Sequence, residues 1–468
     1  MERFRQVAEL VKKRLDSGLI RPGDKLPSLR RLAEETGFSV VTVYKAYELL
    51  ESQGLCASRD RSGFYALKAP QRDAQRRAHA LPVMSPDNVR SLDEAFASRV
   101  PFHAKASAMM LQAGESLADP ILRKTFRRAL LETPSRSADM MGGDAELRTA
   151  IARRAAQRGI HASRDQVVVT RSAMEAFNLC LDSFSTNNRP VLVESPSFYP
   201  ILESLRHRQI QAIEIYSHPE FGIDPGQFEH ILETTGVKLS VLTGANRIPT
   251  GMTYDRETSR RLVQAAERHG AVIIENAISS ELTYGALNAS TLKEFDRYDT
   301  VIQFGGTAST LSSNYEIGWI LGNEQRAARI LASQQLSGLN MPHRALQAAL
   351  ASYLNSRLAE RHTRANCQFL AERMKQGLEL MRASFPEQTA FCEPSGGFMC
   401  WVRGPRHFDS MKLAMSAAKD VFDFIPGPFF SPAGAFRNFL ALNFSGDWTQ
   451  SRRRKLIRLG ECLRGDRQ

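Results

Sequence analysis

The apolar positions of the first seventy residues recur at helical spacing three times in succession. Phe4, Val7, Ala8, Val11 and Leu15 fall three or four residues apart, which places them on one face of a first helix ending near Gly18. Pro22, Gly23 and Asp24 make a turn. Ser28 can cap a second helix with Leu29, Leu32 and Ala33 on its apolar side, and Gly37 stops it. Ser39 is the N-cap of a third helix, Val40 to Ser52, whose inward stripe is Val43, Ala46, Tyr47 and Leu50. Two helices joined by so tight a turn are a helix-turn-helix signal. The stretch GLCASRDRSGFYAL then predicts two short strands around a charged turn with Arg59, Asp60, Arg61 and Gly63, which is a wing.

The pattern changes after this head of residues 1–68. Residues 69–100 are rich in Arg, Ala, Pro and Asp and lack apolar periodicity until their end, so they predict a tether. Beyond it, helical stretches alternate with short apolar runs at Gln166 to Thr170, Pro190 to Glu194, Gln211 to Ile215, Leu239 to Thr243, Ala271 to Glu275 and Thr300 to Phe304. Such alternation predicts an α/β domain over residues 101–465, with a mostly parallel central sheet and flanking helices. No strand is followed by a Gly-rich dinucleotide fingerprint or a phosphate loop of G-x-x-x-x-G-K-S/T form, which argues against nucleotide chemistry.

Composition narrows the class. Hydrophobic residues make up 43 % and charged residues 24 %, a globular and not a disordered balance, and 468 residues suffice for two or three units. A net charge of +12 and a pI near 9.6 suit a polyanionic partner. Residues 1–68 hold 13 basic and 9 acidic side chains, so the order of motifs, more than charge, points to DNA. The six cysteines include no Cys-x-x-Cys pair and the histidines show no ligand spacing, which predicts free thiols in a reducing cytosol and no metal. The charged amino terminus is unlike a signal peptide, and no apolar run is long enough to cross a bilayer, so a cytoplasmic protein without membrane contact is expected. Arg452, Arg453, Arg454 and Lys455 read as the solvated face of a last helix, or as an accessory DNA contact.

Over residues 1–68, the text PGDKLPSLRRLAEETGFSVVTVYKAYELLESQG and the wing glycine of RSGFY resemble the GntR family of bacterial transcription regulators. The resemblance implies that the third helix enters the major groove by its N-terminal end. It also implies that Ser28 and Arg30 face phosphates or base edges, and that the wing, with Arg61 and Gly63, approaches the minor groove. Ser39, Thr42, Tyr44 and Lys45 are then the exposed candidates on the reading helix. Val40 and Tyr44 stand where that family often carries Arg, so methyl and aromatic contacts are expected in place of Arg to guanine. Further on come GDAELRTAIARRAAQRGI (143–160), VVVTRSAMEAFNLCL (167–181), VESPSFYP (193–200), IPTG (248–251), VIIENAISSEL (272–282), STLSSNYEIGWI (309–320) and PSGGFMCWV (394–402). These fall in the order and spacing of fold-type I pyridoxal phosphate aminotransferases, and the whole resembles the fused regulators of the MocR type. That resemblance implies a smaller α+β subdomain within residues 330–465 and a homodimer presenting two winged heads to paired half-sites of double-stranded DNA.

The chemistry of the resembling enzymes rests on residues this chain has replaced. Ser309 stands at the Schiff-base lysine, and a hydroxyl cannot form an imine. Asn276 stands where an Asp holds the pyridinium proton, and Ile278 or Ser279 where a Tyr donates to the phenolate. Glu316 replaces the Arg that grips the phosphate. Like charges about 5 Å apart at an effective dielectric near 20 repel by roughly 3 kcal/mol. Ala441 replaces the Arg that clamps a substrate carboxylate. Ser172 takes the place of a usual Gly in the phosphate turn, whose donors at Ala173 and Met174 persist, and Phe198 keeps the ring-stacking position. No catalysis and no resident pyridoxal phosphate are therefore expected. The remaining pocket, around Phe198, Asn246, Arg247, Asn276, Ser309 and Glu316, has three open readings. It takes a neutral or cationic effector, has decayed within a domain kept for dimerisation, or meets a protein partner. Arg247 or a bound cation would pair Glu316. The competing classes are a pyridoxal phosphate-dependent enzyme with a DNA-binding appendage, a regulator responsive to pyridoxal phosphate, and a nucleoid-type binder with no effector.

Overall fold

Capping and apolar stripes shape the N-terminal head as their spacing predicts. Helix α1 (Arg3–Asp16), α2 (Leu29–Thr36) and α3 (Val40–Ser52) close around Val7, Val11, Leu32, Val43, Ala46, Leu50 and Cys56, all buried. The Ser28 hydroxyl accepts the Arg31 N–H at 3.2 Å to start α2, and Gly37 ends it at φ 70°, a left-handed conformation that a Cβ disfavours. Ser39 accepts the Thr42 N–H at 3.2 Å and starts α3. The buried Tyr47 hydroxyl donates to the Pro27 carbonyl at 2.8 Å, tying α3 to the approach of α2. Strands β1 (Cys56–Arg59) and β2 (Gly63–Ala66) form the antiparallel wing. Residues 24–26 pair along β2, with the Leu26 N–H on the Phe64 carbonyl and the Ala66 N–H on the Asp24 carbonyl, both at 2.9 Å.

The computed structural model describes residues 3–16, 20, 24–52, 55–59, 63–66, 119–132, 142–185, 189–219, 221–285, 289–311, 313–336, 342–416 and 421–465. The chain divides into two units, residues 1–80 and 81–468. Arg61, the turn at Pro22 and Gly23, and the expected tether lie outside the described residues.

In the second unit all six predicted runs are strands: β3 (Val167–Thr170), β4 (Val191–Ser195), β5 (Ala212–His218), β7 (Leu239–Leu242), β8 (Val272–Asn276) and β9 (Val301–Gly306). Nearly every position in them is buried, because helices cover both faces of the sheet, and this is why they read as unbroken apolar runs. Two further strands, β6 (Gly222–Ile223) and β10 (Gly318–Leu321), complete the order β3-β10-β9-β8-β7-β4-β5-β6. The run β9-β8-β7-β4-β5 is parallel, whereas β10 lies antiparallel between β9 and β3, and β6 is antiparallel to β5. The C-terminal subdomain is an antiparallel sheet of β11 (Ala390–Phe391), β12 (Met399–Arg403), β13 (Phe424–Pro426) and β14 (Phe439–Asn443), in the order β11-β12-β14-β13. Helices Arg357–Ser384 and Gln450–Arg464 back it through Met374, Met381, Leu456 and Leu459. Of the basic run, Arg453 and Arg454 are exposed, as a solvated face requires, while Arg452 and Lys455 are half-buried. Arg452 donates to the Asn443 carbonyl at 2.7 Å and lies over Phe422, and Arg453 donates to the Trp448 carbonyl at 3.2 Å. Among the described residues no helix is long and apolar enough to cross a membrane, and no cluster of side chains could hold a metal ion.

Candidate functional site

In the head, Ser28, Arg30, Ser39, Tyr44 and Lys45 are exposed and Thr42 is half-buried. The polar candidates at the tip of α3 are occupied by one another: the Ser39 and Thr42 hydroxyls lie 2.8 Å apart, and Ser39 also caps the helix. Tyr44 leans edge-on against Phe64 of the wing, with ring centres 6.4 Å apart. Gly63 opens β2 at φ 99° with the Lys25 side chain close beside it. Val41 was missed among the candidates and is 66 % exposed, next to Val40 at 42 %. The signal was present in the pattern, since Val41 falls outside the inward stripe of Val43, Ala46, Tyr47 and Leu50.

In the large unit the candidate pocket lies at the carboxyl ends of the parallel strands, where open α/β sheets place their ligand crevices. Ser172 follows β3, Phe198 follows β4, Asn246 follows β7, Asn276 ends β8 and Ser309 follows β9. Helix Ala173–Phe184 begins here, and Ser172 caps it by accepting the Glu175 N–H at 3.1 Å. The Ala173 N–H, at the first turn of the same helix, acts on the Glu316 carboxyl and lowers its pKa against the effect of burial. Glu316 is held on that turn by Gly318 two residues later, where an added Cβ would overlap the Ser172 carbonyl. Burial pushes the Glu316 carboxyl above the ordinary value of 4.5, and the Ala173 N–H opposes that rise.

The other pocket candidates are largely engaged within the chain. The Asn276 Oδ1 accepts the Ile278 N–H at 3.0 Å, and Ile278 is itself buried. Asn246 donates through Nδ2 to the Ser279 carbonyl at 2.9 Å and to Thr283 Oγ1 at 3.0 Å. Ser309 and Phe198 are buried; Met174 is half-buried. Lys293, which precedes β9, donates to Asp296 at 2.6 Å and to the Val301 carbonyl at 2.7 Å, at the amino end of the sheet and away from the crevice.

Two expectations need correction. Arg247 does not reach toward Glu316. Its guanidinium donates to Ser217 Oγ and the Pro219 carbonyl and lies 4.7 Å over the Tyr254 ring, whose hydroxyl donates to the buried Glu194 at 2.7 Å. Arg247 thus belongs to a buried network beside β4 and β5, where it opposes the upward push of burial on Glu194. Ala441 is fully buried and leaves no open seat. On β14 it faces Trp401 across the ladder, and that indole stacks on Phe439 at 5.2 Å and meets Phe430 edge-on at 5.1 Å. A groove of about 760 Å³ beyond the turn at Ser280 and Glu281 was also missed. Its Arg154 is paired with Glu281 at 2.5 Å, and its Arg158 donates to Ser280 Oγ at 2.8 Å.

A winged helix-turn-helix in one unit and an aminotransferase-type sheet in the other define the class as a helix-turn-helix transcription regulator with an aminotransferase-like domain. Residues 4–66 match the bacterial regulatory proteins of the gntR family, and residues 108–423 match aminotransferase class I and II. The chain belongs to the GntR-type regulators fused to an aminotransferase-like domain, the MocR type. It is 30 % identical over 99 % of both chains to the HTH-type transcriptional regulator YdcR of Escherichia coli. It is 29 % identical to the HTH-type pyridoxine biosynthesis transcriptional regulator PdxR of Corynebacterium glutamicum, over 76 % of this chain and 74 % of that one. The multiple substrate aminotransferase of Thermococcus profundus superposes with a TM-score of 0.70 at 22 % identity, covering 76 % of this chain and 90 % of that one, which shows the shared fold.

Proposed function

We propose that this regulator binds defined operators as a homodimer, and that its aminotransferase-like domain senses an effector without catalysis. Glu316 is the observation that carries the reading. A carboxyl side chain already stands at the first turn of helix Ala173–Phe184, within the influence of the Ala173 N–H, at the seat that an aminotransferase-like fold would offer to a cofactor phosphate. The residues around that seat do not fit pyridoxal phosphate. Ser309 supplies no amine, Asn276 supplies no anion, Ile278 supplies no phenol and Ala441 leaves its space to Trp401. A neutral or cationic effector suits a site where Glu316 presents a carboxyl. Effector binding then shifts the population of head arrangements, and DNA affinity follows through that coupling.

Footprinting with the purified full chain tests the proposal. Two protected half-sites, unchanged on adding pyridoxal phosphate, are expected. A second reading, a regulator that answers to pyridoxal phosphate, is favoured by the likeness to the pyridoxine biosynthesis regulator. A footprint that appears or shifts only with pyridoxal phosphate would select it.

A further inference from the structure

At the tip of the reading helix the polar side chains are already satisfied, and what projects is aliphatic. The Ser39 and Thr42 hydroxyls bond each other, and Ser39 also holds the Thr42 N–H. Beside them Val40 is 42 % and Val41 66 % exposed, and Tyr44, at 44 %, follows one turn later. Single exposed aliphatic residues are ordinary on any surface, but here three neighbours crowd the end of one helix. The inward stripe of α3 explains none of them, because Val43, Ala46, Tyr47 and Leu50 fill the core without them.

The same head exposes the cations Arg30, on α2, and Lys45, one turn after Val41 on α3. An apolar helix tip on a head that also exposes cations matches the major groove of DNA, where phosphates line the edges and the 5-methyl group of thymine is the one aliphatic feature on the floor. Building on the DNA-binding reading above, we infer that Val41, with Val40 beside it, specifies thymine in each half-site by packing on its 5-methyl group. The β-branched side chain suits the task, since its stiffness at χ1 leaves little freedom to lose on contact.

The test uses the full chain and an operator obtained by selection from random duplexes. Each thymine of one half-site is replaced in turn by deoxyuridine, which removes the methyl and keeps every hydrogen-bonding group. Affinity for wild type is expected to fall about three- to fivefold at one or two positions, the scale of one buried methyl. Val41→Ala should bind the unmodified operator correspondingly less well and be indifferent to deoxyuridine at those positions. Its salt dependence should be that of wild type, since valine touches no phosphate. A wild-type protein that binds its operator yet ignores deoxyuridine everywhere overturns the inference and leaves the DNA-binding reading standing. So does a Val41→Ala variant that stays as sensitive to deoxyuridine as wild type. Failure to select any operator overturns both. Val41 packs into no core, so Val41→Ala is expected to fold, and an unchanged melting temperature verifies it; Val40→Ala provides a second variant.

Discussion

If the Glu316 carboxyl stands in an anion seat, emptying that seat should let a dissolved anion take its place. Glu316→Ala removes the carboxyl that the Ala173 N–H acts on at the start of helix Ala173–Phe184. A negative charge at a helix N-terminus is worth about 0.3–1 kcal/mol when exposed and up to about 2 when partly buried. Relief from burying the carboxyl outweighs that gain, as its raised pKa shows, so the substitution by itself is expected to cost little stability. Inorganic phosphate at ten times its Kd would add about 1.4 kcal/mol to the variant. For a unit of this size that is a rise in Tm of roughly 2 °C. Trp319, Trp401 and Trp448 all lie in the large unit, so tryptophan fluorescence during heating reports that unit alone. Phosphate also stabilises proteins generally by exclusion from their surfaces, so the informative quantity is the variant's gain beyond that of wild type. Equal gains in both proteins, with chloride at matched ionic strength as the control, would refute the placement of Glu316 on the seat.

Two further outcomes follow from the same geometry. Because burial raises the Glu316 carboxyl above its ordinary value, the native state holds the proton more tightly than the unfolded chain. The group therefore costs nothing at pH values below its ordinary pKa, and stability is lost as pH rises through the raised value. Glu316→Gln cannot titrate and still offers an oxygen to Ala173, so its melting temperature should exceed that of wild type at pH 8 and the gap should close on acidification; parallel melting curves across that range would contradict this. In the head, Arg30 is exposed beside the cap of α2, and Arg30→Ala should make the log–log salt slope of operator binding shallower by about 0.9. Fluorescence anisotropy at several salt concentrations measures it, and an unchanged slope would remove Arg30 from the phosphate contacts.

The parts that were legible in the sequence are those set by neighbours in the chain. Ser28, Gly37 and Ser39 bound their helices through bonds to residues three or four positions away, and the stripe from Val43 to Leu50 is local as well. The parallel strands were legible because burial on both faces leaves an unbroken apolar run. Strand β10 was not, since four residues opening on a glycine carry little pattern, and their antiparallel place depends on Gly318 fitting beneath Ser172. The direction of Arg247 was equally hidden, because its position beside Asn246 does not reveal that its guanidinium turns toward Ser217 and Tyr254. The residue types at 276, 309, 316 and 441 are read directly from the chain. That the Gly318 backbone closes on Ser172, and that Trp401 faces Ala441, are facts of register and loop closure between distant segments.

Regulation without catalysis stands or falls on whether the large domain can bind pyridoxal phosphate covalently. The full chain is incubated with excess pyridoxal phosphate, reduced with borohydride and weighed intact by mass spectrometry. With Ser309 in the amine position the mass should remain that of the unmodified chain, apart from scattered substoichiometric labelling of surface lysines. One phosphopyridoxyl group per chain, mapped to a single lysine reaching the crevice between Asn276 and Ser309, would contradict the proposal.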